Sequence, residues 1–231
     1  KNKDIENVYI TASGGPFLNY PKTKFRLIKP KNALKHPNWK MGKKITIDSS
    51  TLMNKVFEVV EAKKIFNLKM RDITILINPN SYIHAIVIFN NGIIKILAHE
   101  TSMEIPIFNS IYENQKKNIN YNTKDLNLSK FNNLNLSIPD NKKFQILKIL
   151  KLIPKKDSLF ETIVVSVNDH LVKMFLNKKI NFEKMSYYLL KIINFKIFNK
   201  YYKIKPNSIR QILYVRNLSI KIVNEYFKKN I

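Results

Sequence analysis

A polar, asparagine-rich stretch over residues 113–138 separates two parts of the chain that differ in hydrophobic period. This break constrains the fold more than any other feature. Before it, short apolar runs alternate with turn signals. Residues 8–12 end in Ser13-Gly14-Gly15-Pro16, residues 73–77 and 82–89 flank Asn78-Pro79-Asn80, and Asn90-Asn91-Gly92 leads into residues 93–98. Such runs read as strands, and Asn-Gly between two of them reads as a hairpin. Residues 44–48 read as a further strand and residues 51–66 as a helix, with Ser49 and Ser50 placed to cap it. Residues 17–43 hold Pro21, Pro30 and Pro37 and read as a long loop of the lid or binding type. After the break, residues 142–153, 159–177, 182–199 and 206–228 follow a helical period, and their short connections favour an antiparallel four-helix bundle. The expected class is α+β, a small mixed sheet with helices followed by that bundle. The expected domains are a substrate-binding domain with a flap loop over 1–112, a linker over 113–138 and a helical domain over 139–231.

Composition removes several function classes. An apolar share of 45% with 25% charged residues is that of a globular protein. The absence of cysteine excludes disulfides, thiolate metal sites and cysteine nucleophiles. His36, His84, His99 and His170 show no metal-ligand spacing. No apolar run approaches the roughly 18 residues of a membrane span. The chain opens on Lys1 without a signal-peptide pattern and reads as a piece of a longer protein. The net charge of +25 could indicate a nucleic-acid-binding module. Only four of the 41 basic residues are arginine, however, and the lysines are spread along a chain crowded with Asn, Ile, Phe and Tyr. Those residues share A/T-rich codons, so genome composition accounts for the charge without a polyanion partner; a basic nucleic-acid-binding module stays as the second reading.

Three segments carry candidate chemistry. Ser13-Gly14-Gly15-Pro16-Phe17 is either a tight turn or a place where backbone N–H groups approach an anion. His36-Pro37-Asn38-Trp39-Lys40-Met41-Gly42-Lys43 holds the only tryptophan; it is either a loop anchored by Trp39 or a flap that closes over a ligand. In Asp48-Ser49-Ser50-Thr51-Leu52-Met53-Asn54-Lys55, Ser49 is expected where a strand meets a helix start, a place suited to phosphate. Asn54, Glu58 and Glu61 then share one helix face, either solvated or lining a site in which a carboxylate holds a divalent metal.

Taken in order, Ser-Gly-Gly-Pro-Phe, His-Pro-x-Trp-x-Met-Gly-x-Lys-Ile, Asp-Ser-x-Thr-x-Met-Asn-Lys and the following Glu58 resemble 1-deoxy-D-xylulose 5-phosphate reductoisomerase. The resemblance is strongest over residues 11–103. It implies that Ser13, Ser49, Asn54 and Lys55 hold the substrate phosphate, and that His36, Trp39 and Glu58 are catalytic. His36 would contact substrate, Trp39 would cover it, and Glu58 would also be a substrate contact and a ligand of Mg²⁺ or Mn²⁺. Met41, Gly42 and Met103 would face the NADPH cofactor, with Glu61 and His84 in support. It further implies a sugar-phosphate substrate, a homodimer, a bacterial cytoplasmic or plastid-like location, and an NADPH-binding domain ahead of this region.

The departures are specific. No GxGxxG pattern and no Asp-Ser-Glu metal-ligand segment occur here. The family's Gly-x-Pro-Asp-Met-Arg pattern stands as His99-Glu100-Thr101-Ser102-Met103-Glu104, and its Asn-Glu pair as Asn168-Asp169. The expectation is therefore an enzyme portion inactive without the missing part. A degenerate remnant that only supports a dimer is the third reading; the retention of Ser49, Asn54, Lys55 and Glu58 together argues against it.

Overall fold

The computed structural model describes residues 4–39, 41–112 and 126–230. Lys40 of the expected flap and residues 113–125 of the expected linker lie outside the described residues. In chain order the elements are β1 (Ile5–Ala12), α1 (Pro30–Ala33), α2 (Lys43–Thr51), α3 (Met53–Ile65), β2 (Ile73–Ile77), β3 (Ile83–Phe89) and β4 (Ile94–Ala98). They continue with α4 (Glu104–Ile111), α5 (Leu128–Asn132), α6 (Phe160–Leu176), α7 (Phe182–Ile193) and α8 (Ile209–Asn230). The class is α+β. The chain gathers into two compact units: residues 1–15, 36–41 and 57–139 in the first, and residues 16–35, 42–56 and 140–231 in the second.

The first unit is built on a four-stranded sheet in the order β2-β1-β3-β4. β1 pairs parallel with β2 and antiparallel with β3, and β3 pairs antiparallel with β4. Ile73, Ile75 and Ile77 of β2 are buried with the period of two that a half-covered strand requires, while β1 buries Val8 and then Ile10, Thr11 and Ala12 together at its end. The β3–β4 hairpin turns at Gly92, whose φ of 83° suits glycine. Within the expected linker, the Asn127 side chain caps α5 by accepting from the Lys130 N–H at 3.0 Å, and Ser137 bridges to Ile77.

The second unit is helical, with an aromatic cluster. Phe182 meets Phe17 at 5.0 Å and Phe25 and Phe175 each at 5.6 Å between ring centroids. Each such side chain contributes roughly 1.5–3 kcal/mol when fully buried. This cluster is why part of the N-terminal sequence groups with the late helices. α6 packs against α2, α7 and α8, burying Phe160, Ile163, Val167 and Leu171.

Several expectations change. Residues 17–43 are not an unstructured loop: they include a 3-10 turn at Lys22–Leu27 and α1, and bury Phe17, Phe25, Ile28 and Ala33. Residues 44–48 are helical, not a strand. The Gly42 carbonyl closes the first turn of α2 by accepting from Thr46 N at 3.1 Å and Thr46 Oγ1 at 2.9 Å. Ser49 and Ser50 consequently fall in the last turn of α2 rather than capping α3. The first of the four expected late helices is a 3-10 segment, Gln145–Lys151. A turn at Asp140 takes the N–H groups of Lys142, Lys143 and Phe144, which shortens the run left before Pro154. The third stops at Ile193, where Asn194 Nδ2 donates back to the Leu190 carbonyl at 2.7 Å, and a 3-10 segment Lys196–Tyr202 follows.

Candidate active site

In the first unit the candidate residues gather at the end of β1. Gly14 and Gly15 have φ of 82° and 65° and are both buried, so the turn demands glycine. Ser13 Oγ accepts from Gly15 N at 3.1 Å and lies 3.2 Å from His36 Nε2. The other ring nitrogen, His36 Nδ1, accepts from the backbone N–H groups of Asn38 at 3.1 Å and Trp39 at 2.9 Å. A nitrogen receiving two N–H groups presents its lone pair and carries no proton. This assigns the neutral tautomer with hydrogen on Nε2, which donates to Ser13 Oγ. With its oxygen accepting twice, Ser13 keeps its own O–H as a donor.

The start of the expected flap is tied down. Asn38 Nδ2 donates to the Pro79 carbonyl and to Ser81 Oγ, each at 2.8 Å. The half-buried Trp39 ring meets His84 edge-on at 6.1 Å, and His84 stacks on His99 at 3.6 Å. His84 Nε2 donates to the His99 carbonyl at 3.1 Å. Beside this stack Glu100 pairs with Lys130. The structure thus brings Ser13, His36, Trp39 and His84 into one network. Met41 is half-buried at the far end of the segment. Met103, at the N-cap of α4, is 56% exposed.

Asn78 was not singled out by its sequence. It follows β2, donates its backbone N–H to the Ala12 carbonyl at 2.7 Å and is 0% exposed. Neither side-chain amide atom has a hydrogen-bond partner among the described residues. Buried amides are normally bonded, so this one marks the end of β1 and β2 as a polar place. Its sequence context, Asn-Pro-Asn, signals only a turn.

In the second unit Ser49 is buried in the last turn of α2, and the half-buried Asn54 and Lys55 open α3. Leu52 separates the two helices with a left-handed φ of 67°. Its carbonyl accepts from Lys55 N at 3.2 Å and Val56 N at 3.3 Å, restarting the helical ladder. Glu58 and Glu61, farther along α3, belong to the first unit; Glu58 is half-buried and Glu61 is exposed. At Gly42, an added Cβ would meet nothing within 4 Å, so the chain's own packing does not require glycine there.

Asp48, next to Ser49, is 2% exposed. Its Oδ2 pairs with Lys44 Nζ at 2.7 Å and its Oδ1 accepts from Asn168 Nδ2 at 2.8 Å. Lys44 also reaches Asp169 at 3.1 Å. Burial pushes the Asp48 carboxyl above its ordinary range, against the pull of Lys44 and Asn168. For Lys44 burial works to lower the value, but hydrogen bonds and charge from Asp48 and Asp169 outweigh it and raise it. Both partners rise because the acid is the deeply buried one and the amine is only half covered.

Among the described residues no group of three or more His, Asp or Glu is placed to hold a metal ion. Mg²⁺ takes about six oxygen ligands, some of them water, and Glu58 offers one carboxylate. No helix is long and apolar enough to cross a membrane among the described residues.

A mixed four-stranded sheet in one unit and packed helices in the other define an α+β chain. Two family models match it. One, described as 1-deoxy-D-xylulose 5-phosphate reductoisomerase C-terminal domain, covers residues 1–66; the other, described as DXP reductoisomerase C-terminal domain, covers residues 99–219. The chain belongs to the DXP reductoisomerase family, whose C-terminal-domain sequence it carries. The 1-deoxy-D-xylulose 5-phosphate reductoisomerase of Pelagibacter ubique is 56% identical over 223 residues, covering 96% of this chain and 57% of the relative. That of Persephonella marina is 36% identical over 222 residues, covering 96% and 58%. A crystal structure of DOX-P reductoisomerase in complex with NADPH, fosmidomycin and magnesium superposes with a TM-score of 0.88 at 28% identity, over 97% of this chain and 56% of the other. The chain therefore spans little more than half the length of the relatives it matches.

Proposed function

We propose that this chain supplies the substrate-holding and flap portion of an enzyme converting 1-deoxy-D-xylulose 5-phosphate to 2-C-methyl-D-erythritol 4-phosphate in isoprenoid-precursor synthesis, working with an NADPH-binding domain. The observation that carries this reading is the Ser13–His36–Trp39 network at the end of β1, in a chain of this family. Ser13 offers its hydroxyl, and Ser49, Asn54 and Lys55 offer a hydroxyl, an amide and an ammonium, to the substrate phosphate. Neutral His36 orients Ser13 and contacts substrate, and Trp39 covers it against water. Met41, Gly42 and Met103 face the cofactor; the absence of any packing demand at Gly42 fits a glycine kept for close approach. Glu58 provides one carboxylate toward Mg²⁺ or Mn²⁺, which needs further ligands from the accompanying domain. The metal supplies Lewis acidity and NADPH supplies hydride when bound. Phosphate binding remote from the reacting carbons favours closure of the Trp39 segment.

The exposed apolar residues Ile94, Ile96 and Leu97 on edge strand β4 support a homodimer. Sedimentation would show it, and a monomer at high concentration would count against it. The function is tested by joining the chain to an NADPH-binding domain from a relative and following substrate-dependent NADPH oxidation with Mg²⁺ or Mn²⁺. Turnover is expected. A folded joined protein without turnover would defeat the reading. Lys55→Ala should weaken binding of the phosphorylated substrate by about tenfold or more, in line with a charge-assisted bond, and leave a dephosphorylated analogue nearly unaffected.

A further inference from the structure

The helix break that presents Ser49, Asn54 and Lys55 is an unusual piece of backbone. Leu52 adopts a left-handed φ that a γ-branched side chain disfavours, and such a residue persists only where its surroundings fix it. Part of the constraint is local: Thr51 Oγ1 accepts from Met53 N at 3.3 Å across the break. A further tether comes from far along the sequence: Asn168 of α6 donates to the buried Asp48 carboxylate across 120 residues. Lys44 closes the other oxygen and is itself held by Asp169. Buried ion pairs are poor stabilisers compared with well-packed apolar groups, and their best-attested use is to fix one arrangement over others. Here the fixed arrangement lies directly before Ser49.

We infer that Asp48 and Asn168 are positioning residues, whose hydrogen bond sets the α2–α3 break so that Ser49, Asn54 and Lys55 meet the substrate phosphate together. The inference rests on the reading of those three residues as a phosphate grip. It gives the C-terminal helices a part in substrate affinity although none of their residues is assigned to the substrate. Asp48 and Asn168 touch no reacting atom; they act through the segment they hold.

The test uses the 231-residue chain, its Asn168→Ala variant and the exchanged pair D48N/N168D. The exchanged pair keeps the hydrogen bond, with donor and acceptor reversed, and keeps the net charge. Binding of 1-deoxy-D-xylulose 5-phosphate is measured by calorimetry. Hydrogen exchange is followed at the amides of Leu52, Lys55 and Val56, which bond to the carbonyls of Ser49 and Leu52. Asn168→Ala should weaken binding about tenfold and speed exchange at these amides by a similar factor, with β1 amides unchanged. The exchanged pair should bind within about twofold of the unmodified chain. Rescue by the exchange is not expected of a residue that only fills space. If the unmodified chain fails to bind, the phosphate reading falls and this inference falls with it. If the unmodified chain binds while Asn168→Ala binds equally well, or the exchanged pair is no better than Asn168→Ala, the inference alone is overturned.

Discussion

The two units hold their candidate residues by different physics. In the first, the residues sit where a sheet gives way to turns, and neutral hydrogen bonds and ring contacts arrange them: His36 to Ser13, Asn38 to Ser81, Trp39 on His84. In the second, they flank a break between two helices, and a buried carboxylate arranges them through partners on α2 and α6. Neutral contacts can be broken and remade at little cost, which suits the closure proposed for the Trp39 segment. A buried charge that loses its partner is far more costly, which suits a segment meant to stay put. The contrast assigns adaptability to the Trp39 segment of the first unit and rigidity to the Ser49 segment of the second.

The largest effect that can break this contrast lies in the aromatic cluster. Phe182→Ala should destabilise the chain by about 3–5 kcal/mol, read from denaturant unfolding. A loss below about 1 kcal/mol would show that the second unit is not the rigid one. Next, Gly15→Ala should cost about 1–2 kcal/mol through its positive φ, and an unchanged midpoint would remove the backbone demand at the serine turn. Asn38→Ala removes two hydrogen bonds, each worth roughly 0.5–1.5 kcal/mol. Its sharper readout is the emission of Trp39, the single tryptophan, which should shift toward that of a solvated indole. Unaltered emission would mean the segment is anchored by something other than Asn38.

The smallest effect is a pH dependence at Asp48. Its carboxyl is raised in the folded chain above the ordinary 3.8, chiefly by burial. An acid with a raised folded value holds its proton longer folded than unfolded, so its ionisation lowers stability as pH climbs through and above 3.8. Compared with the natural chain, Asp48→Asn should therefore gain relative stability between acid and neutral pH. Movement in the opposite direction would mean that Lys44 and Asn168 outweigh burial.

Much of the sheet was legible in sequence because period-two burial and Gly, Pro and Asn punctuation agree; β2 runs over Ile73–Ile77 as expected. α2 was not, because Ile45 and Ile47 alternate with polar neighbours over too few residues to separate a strand from a helix. The ordered motifs from Ser13 to Glu58 exposed the family and the candidate residues. They could not expose the His36 tautomer, which depends on two backbone N–H groups aimed at one nitrogen. Nor could they expose the Asp48–Asn168 bond, since a single sequence carries no record of which distant side chains meet.

The chain passes between its two units at five places, the last at Pro139–Asp140. Cutting the gene at that tempting boundary would strand the late helices without Phe17 and Phe25, leaving Phe182 bare on one face. Anyone hoping to express residues 140–231 alone should expect clumping rather than a soluble module, because the missing wall is made by amino acids translated more than a hundred positions earlier.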